Sequence, residues 1–179
     1  MKKCLFLDRD GVINLDKGYV HEPQHFELIR GIRKLLRVFK ENGFLLIIVT
    51  NQSGIGRGFY SKEDFLKFTS WMRKQLDDLI DEVYFCPNHP TQGLGKYKKE
   101  CNDRKPGPGM FIRAGKDFKI DFSKSIMIGD NFSDLDAADK VGINKLYLFN
   151  NSETKKRQYD YKRISSLNTI TRDCINKEL

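Results

Sequence analysis

Short apolar runs that stop abruptly on polar or acidic residues recur along this chain, and between them apolar residues fall at helical spacing. The runs are Cys4–Leu7, which stops on Asp8; 44–49, which stops on Thr50; 83–86; 125–128, which leads into Gly129 and Asp130; and 146–149. Runs of this length without polar alternation suit strands covered on both faces, the condition inside a parallel sheet layered by helices. The helical signals between them are Ile32, Leu35, Leu36 and Phe39, closed by Asn42-Gly43, and Phe65, Phe68, Met72 and Leu76, opened by the capping-box pair Ser61 and Asp64. Shorter ones follow at Met110, Phe111 and Ala114 and over 135–138. This alternation predicts an α/β fold with a doubly wound, mainly parallel sheet. A weak strand near 161–164 and a helix from about Leu167 complete the chain. One domain over 1–179 is expected, with a core at 4–150, a long Gly-, Lys- and Pro-containing loop at 87–108 and a more polar C-terminal segment at 151–179.

Composition narrows the class of protein. With 39% hydrophobic and 31% charged residues, the chain has the make-up of an ordinary globular protein and not of a disordered or disulfide-stapled one. Met1-Lys2-Lys3 is followed by only four apolar residues before Asp8, too few for a signal-peptide core, and no run approaches the roughly 20 apolar residues that span a bilayer. A cytoplasmic chain without membrane contact is therefore expected, with Cys4, Cys86, Cys101 and Cys174 reduced. The net charge of +8 gathers at Lys96/Lys98/Lys99, Lys155/Lys156/Arg157 and Lys162/Arg163. Without interleaved aromatics these clusters read as solvated surface, so a monomer acting on a small molecule, and not on nucleic acid, is expected.

In open α/β sheets ligands bind beyond the carboxyl ends of the strands. Three strand ends here carry polar clusters: Asp8-Arg9-Asp10-Gly11, Thr50-Asn51-Gln52-Ser53-Gly54, and Gly129-Asp130 followed by Asp134. Asp8 and Asp10 are two apart, so in an extended segment both carboxylates project to one side and can share a substrate. One carboxylate can attack phosphorus to give an aspartyl-phosphate, while the other protonates the leaving oxygen and later deprotonates water. Attack by an anion on a phosphate dianion requires cations in the site. Mg²⁺ suits the task, held by Asp8, the main-chain carbonyl of Asp10, and Asp130. Thr50 supplies a hydroxyl, the N–H groups of Asn51 and Gln52 complete a cradle for phosphate oxygens, and Lys105 is the fixed positive charge. Asp8 is thus expected as nucleophile and Asp10 as acid/base in Mg²⁺-dependent phosphoryl transfer.

These residues resemble the haloacid dehalogenase superfamily over 4–150, with Asp8-Arg9-Asp10-Gly11 as its first motif, Thr50 as the second, Lys105 as the third and Gly129-Asp130 with Asp134 as the fourth. Segments 7–14, 18–20 and 50–58, and Cys86-Pro87 with Arg104-Lys105-Pro106, are similar to its sugar bisphosphate and histidinol-phosphate phosphatases. Ser53 favours the sugar bisphosphate side. Polynucleotide 3′-phosphatases share the 50–58 loop, but Arg9 and the Cys86/Arg104-Lys105 loop side with the other two groups. The resemblance implies a phosphorylated sugar as substrate, no large cap domain, and a lining made by Asp16, Lys17, Gly18, Tyr19, Thr50, Asn51, Gln52, Ser53, Arg104 and Lys105. It also implies a zinc loop with four ligand positions, two of which are Asn88 and Asp103 here. Zinc prefers thiolate or imidazole, so the expectation is a loop held by hydrogen bonds and packing, with a weaker mixed zinc site of Cys86, His89, Cys101 and Asp103 as the alternative.

Overall fold

A computed structural model of the chain describes residues 1–154 and 156–176. Lys155, counted above in a basic cluster, and residues 177–179 lie outside the described residues. Six strands, β1 (Cys4–Leu7), β2 (Leu45–Asn51), β3 (Glu82–Cys86), β4 (Ile126–Gly129), β5 (Lys145–Phe149) and β6 (Lys162–Ile164), form one sheet in the order β3-β2-β1-β4-β5-β6. Every pair is parallel. The helices are α1 (Ile32–Glu41), α2 (Ser53–Gly56), α3 (Lys62–Gln75), α4 (Gly109–Phe118), α5 (Phe132–Asp139) and α6 (Leu167–Ile175).

The unbroken apolar runs are explained by the two cores. Successive side chains on a strand point to opposite faces, so Leu5, Leu7, Leu46, Ile48, Ile126 and Ile128 enter one core with the apolar faces of α1 and α6. Cys4, Phe6, Ile47, Val49, Met127 and Leu148 enter the other with Met110, Phe111 and Ala114 of α4 and Leu135 of α5. α3 begins as its sequence suggests. Asp64 N–H donates to Ser61 Oγ at 3.0 Å and Ser61 N–H to Asp64 Oδ2 at 3.0 Å.

Several boundaries differ from the sequence expectation. β2 continues past its apolar run through Thr50 and Asn51, because those residues pair with Phe85 and Cys86 of β3. Leu76 lies just beyond α3 yet stays buried, so its helical spacing reflected packing and not helix length. The weak strand expected near 161–164 and the helix expected from about Leu167 are present as β6 and α6, and Leu167, Ile170 and Cys174 carry the first core past the expected 4–150. Among the described residues no helix is long and apolar enough to cross a membrane.

The strand order reverses between β1 and β4, and Leu7 sits level with Ile48 on one side and Ile128 on the other. Asp8 and Asp130 therefore emerge side by side at the point where connections diverge to opposite faces, the usual crevice of such sheets.

Candidate active site

An open cleft of about 460 Å³ lies over that edge, and Asp8, Asp10, Thr50, Lys105 and Asp130 all line it. Its centre is a cluster of charge. Carboxylate oxygens of Asp8, Asp130 and Asp134 lie within 4.8 Å of one another. Lys105, reaching in from the long loop and only 3% exposed, donates to Asp134 Oδ1 at 2.6 Å, Asp8 Oδ1 at 3.0 Å and the Val49 carbonyl at 2.8 Å. All three ammonium protons are thereby used. Burial works against the charged form of Lys105, but the Asp134 and Asp8 carboxylates outweigh it and raise its pKa above the ordinary lysine range. Asn51 fixes the approach of this lysine, since its side chain accepts from Lys105 N–H at 3.0 Å and donates to Lys105 O at 3.1 Å.

Three carboxylates against one ammonium leave two negative charges uncompensated, and the titration of the site reflects it. Burial, with repulsion from Asp134, Asp130 and Asp10 only partly offset by Lys105, holds the Asp8 carboxyl well above the usual range. Burial and then Asp134 push Asp130 up to about 7. An excess of two charges on hard oxygen donors is the complement of a divalent cation such as Mg²⁺. The ligand oxygens can be sorted by their other bonds. Asp134 spends Oδ1 on Lys105 and Oδ2 on Asn131 N–H at 3.0 Å, where it closes the capping box of α5. Asp8 and Asp130 also line the cleft, and neither is tied into a helix cap. Gly11 is required beside them, because at φ +88° a Cβ would stand 2.1 Å from Asp130 Oδ2.

Asp10 occupies a different environment. Its carboxylate accepts from Arg9 Nε and Nη2, with the Nη2 contact to Oδ2 at 2.8 Å, from Asn14 Nδ2 at 3.0 Å and from Gln52 Nε2 at 3.0 Å. Arg9 is fully buried beneath it and packs its guanidinium against Phe65 and Phe68. The Gln52 amide is oriented from behind, because the Tyr60 hydroxyl donates to its Oε1 at 2.6 Å, so that Nε2 faces Asp10 and Thr50 Oγ1, the latter at 2.8 Å. Thr50 accepts that bond and keeps its own hydroxyl proton for the cleft. Burial, with a further contribution from the Asp10 charge, pushes the Tyr60 hydroxyl up to about 12, so it remains a donor at neutral pH.

Most of the residues expected around the substrate do line the cleft: Asp16, Gly18, Tyr19, Asn51, Gln52, Ser53 and Arg104. Asp16 Oδ1 accepts from Gly18 N–H at 2.9 Å, and the turn presents Tyr19, edge-on to Phe59, at the rim. Two expectations need correction. Lys17 turns away to pair with Glu27 at 2.8 Å and does not line the cleft. The Gln52 N–H donates to the Cys86 carbonyl at 2.8 Å, because β2 stays paired with β3 to its end, so it is not available to a phosphate. The loop thiols Cys86 and Cys101 stand 4.0 Å apart, but His89 Nδ1 faces its own turn, accepting from Gln92 N–H at 3.1 Å, and Asp103 pairs with Arg113 at 3.2 Å. The four residues of the mixed zinc alternative are thus not drawn together, and Asp8, Asp130 and Asp134 are the metal-capable cluster among the described residues.

Tyr60, Asn131 and Ser133 line the cleft without having been singled out from the sequence. Tyr60 carried no signal, since an aromatic just before a helix cap reads as core. Asn131 and Ser133 could have been found from the Asn-x-x-Asp capping pattern of α5.

Comparison with known proteins agrees with this geometry. The HAD-hydrolase-like family matches residues 102–164. The chain is 48% identical over 151 residues to the D-glycero-beta-D-manno-heptose-1,7-bisphosphate 7-phosphatase of Haemophilus influenzae, covering 82% of this chain and 82% of that protein. It is 48% identical over 144 residues to the D-glycero-alpha-D-manno-heptose-1,7-bisphosphate 7-phosphatase of Burkholderia mallei, covering 79% and 76%. Among solved structures, D,D-heptose 1,7-bisphosphate phosphatase from B. bronchiseptica, complexed with magnesium and phosphate, superimposes with a TM-score of 0.84 over 98% of this chain and 99% of that one; at 23% identity this likeness concerns the fold.

Proposed function

This chain belongs to the heptose-1,7-bisphosphate 7-phosphatase family of HAD-like hydrolases, and from that premise we propose that it removes the 7-phosphate of D-glycero-D-manno-heptose 1,7-bisphosphate in a Mg²⁺-dependent reaction. The observation that carries the reading is the doubly negative cluster of Asp8, Asp130 and Asp134 around a single ammonium, at the switch point of the sheet. Such an arrangement is costly to bury unless a cation completes it. With both oxygens of Asp134 already engaged by Lys105 and Asn131, Asp8, the Asp10 carbonyl and Asp130 are the groups that would hold Mg²⁺, which when bound neutralises charge on the phosphate and on the attacking carboxylate.

We assign the remaining roles from the hydrogen bonds. Asp8 Oδ1 is engaged by Arg9 N–H at 2.7 Å and by Lys105, which leaves Oδ2 to attack phosphorus. The bond from phosphorus to the sugar oxygen breaks as Asp10, which enters this step in its protonated form, delivers its proton to that oxygen. Water then attacks the aspartyl-phosphate, Asp10 takes its proton, and phosphate leaves with Asp8 restored. Thr50 Oγ and the Ser53 and Gly54 N–H groups that open α2 are the donors for the phosphate oxygens. Lys105 holds the Asp8 and Asp134 carboxylates in place through its ammonium. Tyr19 and Arg104 face the sugar.

The substrate is a small phosphorylated sugar, and we read the chain as a cytoplasmic monomer serving envelope heptose (lipopolysaccharide) synthesis. The test is a competition among heptose bisphosphate, histidinol phosphate and a 3′-phosphorylated oligonucleotide with Mg²⁺. The expected outcome is a kcat/KM highest for the heptose; preference for either of the others overturns the reading.

A further inference from the structure

The loop after β3 carries two thiols for which the reaction has no use. Cys86 ends β3 and is fully buried, whereas Cys101 is partly exposed; the Cys86 thiol donates to the Cys101 sulfur across 4.0 Å. The neighbouring positions do not complete a zinc site, since residue 88 is Asn, Asp103 is paired with Arg113, and the His89 ring serves its own turn. What they supply instead is polarisation of one sulfur. Burial opposes ionisation of Cys101, but hydrogen bonds from the Asn88 amide, the Asp103 and Arg104 N–H groups and the Cys86 thiol outweigh it and lower its pKa. Burial does the reverse to Cys86, which is pushed up to about 12. A partly exposed sulfur thus lies 4.0 Å from a buried second thiol, the arrangement of a peroxidatic and a resolving cysteine.

We propose that Cys86 and Cys101 form a peroxide-responsive dithiol site that closes reversibly into an intramolecular disulfide. The Cys101 thiolate attacks one oxygen of hydrogen peroxide, the O–O bond breaks, and the departing hydroxide takes up a proton to become water, leaving a sulfenic acid. The Cys86 sulfur then attacks the Cys101 sulfur, the S–O bond breaks, and the hydroxyl leaves with the Cys86 proton as a second water. The two sulfurs together lose two electrons, which the peroxide gains. The sulfurs need to close only from 4.0 Å to about 2 Å. The bond would form beside the active site, because Cys86 pairs with Asn51, whose side chain brackets Lys105.

The test uses the full-length, reduced protein treated with stoichiometric hydrogen peroxide, then alkylated, digested without reductant and weighed. The expected product has lost two hydrogens, contains one crosslinked pair of peptides joining Cys86 to Cys101, and reopens with a thiol reductant. Cys101→Ser should give no crosslink, and Cys86→Ser should leave a sulfenic acid on Cys101 that dimedone traps. The first variant sits at a partly exposed position, so the test stands even if the buried one fails to fold. Cys101 carrying two or three added oxygens with Cys86 still free, a crosslink between two chains, no reaction of either thiol, or stoichiometric zinc that shields both of them would each overturn the proposal.

Discussion

The two polar regions that meet at Lys105 are built on opposite electrostatic plans. At the edge of β1 and β4, carboxylates crowd one ammonium and leave charge to spare. In the loop that follows β3, two thiols fifteen positions apart approach each other through neutral hydrogen bonds, and the acidic Asp103 beside them has its own arginine. The first region is unfavourable until a cation arrives, and the second is complete as it stands. Sequence distance does not separate them, since Cys101 and Lys105 are four apart; what separates them is whether each polar group finds a partner inside the protein.

This contrast can be broken most directly at Asp8. We predict that Asp8→Asn lowers turnover by about 10⁴-fold or more with the circular dichroism spectrum unchanged; substantial residual turnover would remove Asp8 as the nucleophile. Next in size is Lys105→Met, which strips the 1%-exposed Asp134 carboxylate of its ammonium. Denaturant titration should show a loss of roughly 3–5 kcal/mol, the cost of an unpaired buried charge, and a loss under 1 kcal/mol would mean that the cluster is more solvated than its burial suggests.

The surplus charge has a pH signature. Asp130 titrates near 7 in the folded protein against 3.8 for the free side chain, so the folded state holds its proton more tightly. The stability linked to that proton is present below about pH 4 and is lost as pH rises through about 7. Metal-free Asp130→Asn should accordingly be more stable than the parent at pH 8, on the order of 3 kcal/mol, with the gain shrinking toward pH 4 and reduced when Mg²⁺ is added to both. An unchanged gap across that range counts against the charge surplus. Smaller still, Tyr60→Phe should cost about tenfold in kcat/KM by freeing the Gln52 amide to rotate, and unaltered kinetics would show that Gln52 is held by other means. At the opposite pole, His89→Ala should shift stability by no more than about 1 kcal/mol, because its ring bonds only within its own exposed turn, to Thr91 and Gln92. A collapse of the loop in that variant would erase the contrast.

Much of the fold was readable because buried strands and amphipathic helices leave periodic marks. The run Cys4–Leu7, the stripe Phe65, Phe68 and Met72 and the Ser61/Asp64 cap all took the structures that their spacing implied. The end of β2 was not readable, because Thr50 and Asn51 are strand only by virtue of β3 beside them. Lys17 was misplaced for a related reason. Its neighbours Asp16 and Gly18 form a turn, and no local rule says which of three consecutive side chains a turn presents inward.

The sequence by itself determined that three strand ends would carry carboxylates and a hydroxyl, and that Asp8, Asp10 and Asp130 would be among them, since residue type and periodicity are local properties. Only the tertiary structure decided how each of those groups is charged. Asp8 and Asp10 lie two residues apart on the same segment, yet one is pressed among like charges and the other rests on a buried arginine. Electrostatic energy depends on distances through space and on exclusion of water, and neither is fixed until strands far apart in the chain have paired.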